Sequence, residues 1–350
     1  MSDSGPELTC PVPLPAGDKV LLGHGSGGRL SEALLRDIFL PAFDNPVLAQ
    51  LNDQAEVCVN GHRLAFTTDS FVVQPLFFPG GDIGSLAVHG TVNDLVVGGA
   101  RPLCLSAAFI IEEGLPMDTL RRVVQSLREA AAEAGVDVVT GDTKVVEKGG
   151  ADGLFLNTSG IGLVPEGVRL SADHARPGDR ILLSGPIGEH GIAVLAQREG
   201  LELEGPIRSD SAPLHGLVAA ILEATTAVRC MRDPTRGGLS AALNEIAAQS
   251  GVGMVIDERA IPIREEVRGA CELLGLDPLY VANEGKLVAI VEASAADSAL
   301  AAMRGNPLGI DARIIGRVCD SHKGVVEMRT AIGTTRIVDL LTGDQLPRIC

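Results

Sequence analysis

Tryptophan is missing from this 350-residue sequence, and aromatic residues make up only 3 % of it. A core must therefore be built from Ala, Val, Leu and Ile, and hydrophobic residues reach 45 %. Basic residues are scarce too, 29 Lys and Arg against 45 Asp and Glu, for a formal net charge of −16. That balance excludes the basic footprint of nucleic-acid binding and suits a solvated acidic surface. No stretch approaches 18 apolar residues, so no membrane span is expected. Residues 1–15 are acidic and proline-rich and carry no apolar signal-peptide core. No Cys-x-x-Cys occurs, and Cys10, Cys58, Cys104, Cys230, Cys271 and Cys319 stand alone. This excludes a disulfide framework or a structural zinc and points to a reducing, cytoplasmic compartment.

The seventh cysteine, Cys350, is the last residue of the sequence. Prenylation is ruled out, because Pro347 occupies the fourth position from the end. A thiol at a chain end is either incidental or a carrier on a flexible arm. The stretch after Val338 has no periodicity, and its twelve residues reach at most about 40 Å when extended.

At this length two domains are expected. Residues 1–18 read as a flexible extension, 19–170 as an N-terminal domain, 171–337 as a C-terminal domain and 338–350 as a mobile tail. The turn cluster Ala175-Arg176-Pro177-Gly178-Asp179 marks the boundary region. Helices are expected over 30–39, ended by Pro41, over 82–98 and over 118–134, with Asp118 as N-cap. Strands are expected at 55–59, 63–68, 103–111, 136–140 and 154–164. Helices then follow near 187–199, 214–225, 239–249, 265–274 and 295–303, with strands at 180–184, 287–291 and 312–318. Helix and strand signals do not alternate one for one. An α+β fold with mixed or largely antiparallel sheets follows, rather than a doubly wound parallel sheet.

Several segments carry chemistry. His24-Gly25-Ser26-Gly27-Gly28 runs into a helix, so its amides are candidates to face an anion. It lacks the Gly-Lys-Ser/Thr of a P-loop, and a simple turn is the competing reading. Asp53, Asp69, Asp94 and Asp142 each stand beside a strand end or turn, the oxygen-only donors that Mg²⁺ takes together with phosphates. Singly, each is equally a cap or turn residue. Lys144 follows Asp142 and suits a phosphate partner or a base. Asp233-Pro-Thr-Arg236-Gly-Gly-Leu239 offers Arg236 at a helix start, and Glu284 in Asn283-Glu-Gly-Lys286 is a candidate acid or base. His24, His89 and His190 lack ligand spacing and suit structural or hydrogen-bonding roles.

Together these stretches resemble the HypE family of carbamoyl dehydratases in [NiFe]-hydrogenase maturation. That family lies within the wider group of aminoimidazole ribonucleotide synthetase, selenophosphate synthetase and thiamine-monophosphate kinase. The resemblance rests on the segments above and on Phe66-Thr-Thr-Asp-Ser-Phe-Val-Val73, Phe78-Pro-Gly-Gly-Asp-Ile-Gly84, Gly90-Thr-Val-Asn-Asp-Leu95, Ile111-Glu-Glu-Gly114, Gly141-Asp-Thr-Lys-Val-Val146 and Pro347-Arg-Ile-Cys350. The last of these singles out HypE. The resemblance implies a two-domain aminoimidazole-ribonucleotide-synthetase-like fold, a homodimer, and ATP with Mg²⁺ in a cleft. Implied ATP-binding residues are Gly25, Gly27, Gly28, Asp69, Asn93, Asp94, Asp142 and Thr143. Implied metal ligands are Asp53, Asp69, Asp94 and Asp142, and implied catalytic residues are Cys350, Lys144, Glu284 and Arg236, with the base either Lys144 or Glu284. The implied reaction is dehydration of a carbamoyl group on Cys350 to a thiocyanate, with HypF and a HypC–HypD scaffold as partners. The rival readings are another ATP-dependent enzyme of the same group acting on a free small molecule, and an inert scaffold presenting a thiol.

Overall fold

The computed structural model describes residues 19–201, 205, 207–343, 346 and 348–350. The expected extension 1–18, and Pro347 within the tail motif, lie outside the described residues. After a 3-10 turn at Leu22–Gly25, α1 (Arg29–Leu34) passes through a π-type turn, Leu35–Phe39, into α2 (Leu40–Phe43). The helical path thus continues past Pro41 rather than ending before it. Pro41 falls at the start of α2, and the wider π turn sits where proline removes a donor.

The first half continues with β1 (Ala55–Val59), β2 (His62–Phe71), a small hairpin of β3 (Phe77–Phe78) and β4 (Gly81–Asp82), and α3 (Ile83–Val97). Then come β5 (Arg101–Glu112), α4 (Met117–Glu133), β6 (Asp137–Val146) and β7 (Leu154–Val164). The main sheet runs β1-β2-β7-β5-β6. Its neighbours are antiparallel except β5 and β6, which α4 joins in a parallel crossover. Burial along β7 alternates, so Leu154, Leu156 and Thr158 point inward beneath α3.

The start of α3 is set by Asp82, whose Oδ1 accepts from the amides of Gly84 and Ser85 while Ser85 Oγ accepts from the Asp82 amide. This reciprocal cap satisfies donors that a helix end leaves open. By contrast Pro116 occupies the N-cap of α4, and Asp118 sits inside the first turn instead of capping it. Its charge still favours the helix N-terminus there.

The second half comprises β8 (Arg180–Leu183), α5 (Glu189–Glu199), α6 (His215–Ala224), β9 (Val228–Arg232), α7 (Gly238–Ser250) and β10 (Gly253–Asp257). It continues with α8 (Glu265–Leu274), β11 (Val288–Val291), α9 (Ala296–Arg304), β12 (Arg313–Cys319), β13 (Val326–Arg329) and β14 (Thr335–Val338). The sheet order is β14-β13-β10-β12-β8-β11-β9, with only β10 and β13 parallel. Both sheets are mixed and mainly antiparallel, as the α+β expectation requires.

One helix ties the halves together. Nearly every residue of α3 is buried, because it packs on β2, β5 and β7 and also meets α6 and β9. Leu86, Val92 and Leu105 accordingly share one apolar cluster with Leu182, Met231 and Leu287. The polar residues of α3 are held at this seam, which is where the site forms.

Candidate active site

Five segments meet at the seam: the loop before β1, the end of β2, α3, the turn between β9 and α7, and the turn entering β11. The β9–α7 turn, residues 233–237, depends on two glycines in the left-handed region, Gly237 at φ +75° and Gly238 at φ +62°. A Cβ on Gly238 would lie 2.6 Å from the Leu279 carbonyl oxygen, so only glycine lets this turn approach so closely. The turn entering β11 is tied to it by Asn283, whose side chain donates to the Pro234 carbonyl at 2.9 Å and accepts from the Gly188 amide at 2.7 Å.

These segments converge four carboxyl groups. Asp53 accepts from Arg232 at 2.8 Å, and Asp94 accepts from the Thr67 hydroxyl at 2.8 Å. Burial pushes Asp94 well above the usual carboxylate range, and the charges of Asp233, Asp69 and Asp53 add to the shift. Burial, with Asp53 and Asp69 nearby, raises Asp233 to about 8. Burial also raises Asp69 against the pull of Arg236, and Asp53 against the pull of Arg232. Such mutual repulsion is the mark of a site built to receive positive charge. Asp233 is the member that sequence reasoning missed as an acid. Its place in the Asp-Pro-Thr-Arg motif was visible, but its proximity to Asp53 and Asp69 was not. Among the described residues, no three His, Cys, Asp or Glu side chains close up as a complete metal-ligand set.

Glu284 is 2 % exposed, and its Oε1 is buried without a hydrogen-bond partner. Burial, followed by the charges of Asp233, Asp69 and Asp210, holds its carboxyl well above the ordinary range, against the pull of Arg236. Arg236 donates to the Gly25 carbonyl at 3.1 Å. Its guanidinium is held charged first by Cys350, then by Asp69, Glu284 and Asp94. The Gly25 stretch therefore meets Arg236. Its Gly27 amide is used by Ser31 Oγ at 3.0 Å, and the Arg29 amide by the Leu341 carbonyl at 2.8 Å.

The end of the tail is seated in this cleft. The Val72 amide donates to the Cys350 carbonyl at 3.2 Å, and the Gln74 amide to the Arg348 carbonyl at 3.1 Å. Ile349 is buried, and Arg348 pairs with Asp152. Cys350 lines one cavity with Gly25, Ser26, Val72 and Arg236. Both main-chain bonds run one way, from the amides of the 72–74 segment to carbonyls of the tail.

Three expected residues lie elsewhere. Asp142, Thr143 and Lys144 are exposed on β6, the far edge of the first sheet. Asp142 stands opposite Ala108, which stands opposite Asn157, which stands opposite Ser70. Three strand spacings, roughly 14 Å, thus separate it from the Asp69 end of β2 within one chain. Asn93 is also committed otherwise. Its amide donates to the carbonyls of Ala212 and Glu284, both at 3.1 Å, and accepts from the Leu214 amide at 2.8 Å. It braces the Glu284 turn.

Both halves of the chain match known proteins. Residues 52–164 match the N-terminal domain, and 176–329 the C-terminal domain, of AIR synthase related proteins. The carbamoyl dehydratase HypE of Cupriavidus necator is 59 % identical over 333 residues, 95 % of each chain. A crystal structure of the hydrogenase maturation protein HypE in complex with ATP is similar at a TM-score of 0.80, with 52 % identity, covering 95 % of this chain and all of that one. A HypE–HypF complex is similar at a TM-score of 0.84, with 51 % identity, covering 88 % of this chain and all of the other. The chain belongs to the HypE family of carbamoyl dehydratases, within the AIR synthase related proteins.

Proposed function

We propose that this protein carries a carbamoyl group on Cys350 and dehydrates it at the seam, with ATP as co-substrate. The observation that carries this reading is the seating of Cys350 beside Arg236 and Gly25, next to the buried acids. The thiocarboxamide R–S–C(=O)–NH₂ loses its oxygen to the γ-phosphoryl group and two protons from nitrogen. The products are R–S–C≡N, ADP and phosphate. An amide oxygen leaves poorly until it is phosphorylated, and catalysis of such a step rests on positioning and charge neutralisation.

Arg236 faces Cys350 and is suited to hold the carbamoyl or phosphoryl oxygen. Glu284, desolvated and raised in pKa, is suited to take a proton from the nitrogen once local charge changes. Asp69, Asp94 and Asp233 would hold Mg²⁺, which keeps waters and phosphate oxygens in its shell and needs only one or two carboxylates. Their oxygen-only set and mutual repulsion support that fit. Asp53, already engaged by Arg232, is the weaker donor. When bound, the ion would neutralise phosphate charge.

The same reading includes a homodimer. Phe66, Ile110 and Ile161 are 40–44 % exposed on the open face of the first sheet, and β6 is exposed along most of its length. Apposition of two such faces would bury that surface. It would also let Asp142, Thr143 and Lys144 serve the neighbouring subunit's cleft. A HypF-type carbamoyltransferase would load Cys350, and a HypC–HypD-type scaffold would accept the cyanide, in the cytoplasm. The test is nucleotide turnover by protein loaded through the carbamoyltransferase. One ADP per loaded tail is expected, and none from Cys350→Ala. Equal ADP release without loading would sink the reading.

A further inference from the structure

Three consecutive carbonyls of the seated tail are each received by a specific donor. Those of Arg348 and Cys350 go to the amides of Gln74 and Val72. The carbonyl between them, that of Ile349, goes to His190 Nε2 at 3.0 Å, from the first turn of α5. Ile349 is 3 % exposed and His190 is fully buried, so without this contact a buried carbonyl would lose its partner.

We propose that His190, oriented by Ser209, is the positioning residue that seats the tail and so sets Cys350 in place for reaction. A carbonyl only accepts, so Nε2 carries the proton, and Nδ1 must then accept from Ser209 Oγ, 2.8 Å away. The Phe78 ring meets the imidazole edge-on, with centroids 5.4 Å apart at 89°, and fixes its plane. Burial keeps His190 neutral, against the influence of Asp210.

The segment that orients His190 also orients Glu284. Asp210 accepts from the amides of Glu284 and Gly285, both at 3.3 Å, and pairs with Lys286 at 3.2 Å. Ser209 additionally accepts from the Ser211 amide at 3.1 Å. The seat of the tail and the candidate base are therefore referenced to one tripeptide, Ser209-Asp210-Ser211. A shift in either would be felt by the other.

This inference rests on Cys350 being the carrier, and the test separates the two. Full-length protein loaded with carbamoyl is given saturating ATP, and conversion on its own tail is followed in a single turnover. Hydrogen exchange is measured in parallel over the peptide containing Val72 and Gln74, with a chain lacking residues 346–350 as the undocked reference. His190→Leu should convert roughly 10- to 100-fold more slowly, in line with loss of a buried carbonyl's partner. Its exchange at 72–74 should approach the undocked reference, with ATP affinity unchanged. Ser209→Ala should show a smaller loss of the same kind, and His190→Gln, which keeps a donor, should recover most of the rate. A wild-type rate and wild-type protection in His190→Leu would overturn the proposal. So would a parallel loss of ATP affinity in all three variants, which marks a merely structural role. If the wild-type protein fails to convert its tail, the carrier reading fails, while exchange at 72–74 still reports on the seat.

Discussion

Lys144 Nζ donates to both carboxylate oxygens of Asp142, at 2.8 and 2.6 Å, on the exposed edge strand β6. That hydrogen bond, helped by the Thr143 amide, holds the Asp142 carboxyl below its usual range. The pair is thus charged and ready, yet three strands from the Asp69 end of β2. Glu284, by contrast, is inside the cleft.

This division predicts complementation. Lys144→Ala and Glu284→Gln chains should each be nearly inactive alone, because each lacks a group needed in both sites of a dimer. Mixed and re-equilibrated, they should regain activity through heterodimers, one of whose two sites has both groups intact. Assay of the mixture decides it, with Phe66→Asp as a variant expected to stay monomeric by light scattering. No gain above the separate variants would place Lys144 outside the reaction of the partner's site.

Glu284→Gln keeps shape and removes the proton acceptor. If Glu284 is the base, single-turnover conversion should fall by roughly 10²–10⁴-fold. ATP binding, measured by calorimetry, should stay within a few-fold of the original. Thermal stability should change little, because burial already disfavours the charged form of the carboxyl that the amide replaces.

A pH effect follows from His89. It is buried in α3 with Nδ1 2.9 Å from Ser211 Oγ, and burial pushes its pKa down to about 4. In the unfolded chain the imidazole binds its proton near pH 6.5. Below that value the unfolded state takes up a proton that the folded state resists, so this group's stability contribution is lost as pH falls toward 4. The term amounts to about 2 kcal/mol between pH 7 and 5, or several degrees in Tm. His89→Gln should therefore lose less stability than the parent over that interval. Comparing the two proteins cancels the opposite trend of the raised carboxyls Asp94, Asp233 and Glu284. Parallel melting curves would contradict the assignment.

Gly27 adopts φ +74°, and a Cβ there would lie 2.6 Å from the Arg236 carbonyl oxygen. Gly27→Ala should push the Arg236 loop aside, destabilise the chain by more than about 1 kcal/mol and weaken ATP binding at least tenfold. Gly61→Ala is the control. Gly61 has φ +83° with nothing within 4 Å of the added Cβ, so it carries the backbone strain without the clash and should leave ATP binding unchanged.

The parts of the fold legible in the sequence are those with strong local signals. The strand at 154–164 and the helix opening at Asp82 are of this kind, and both elements lie within a residue or two of expectation. Strands β13 and β14 were not legible, because short polar-flanked segments such as Val326–Arg329 take their strand character from pairing with β10, far away in sequence. In the site, each acidic motif could be seen, but not which acids face one another. Strand order puts Asp142 at a far edge, and only the β9–α7 turn brings Asp233 to Asp53. The tail read as a mobile arm because nothing in it is periodic. Its apolar Ile349 was the one hint of a seat, and the structure places that residue against His190.

The central claim is that Cys350 is the atom-bearing carrier and that its carbamoyl group loses water at the cost of ATP. The most direct measurement is mass spectrometry of the C-terminal peptide after incubation with the carbamoyltransferase, a carbamoyl donor and ATP. A gain of one carbamoyl mass on Cys350, followed by ATP-dependent loss of one water, is the predicted result. A tail that gains nothing, or a carbamoyl group that persists through ATP turnover, would contradict it.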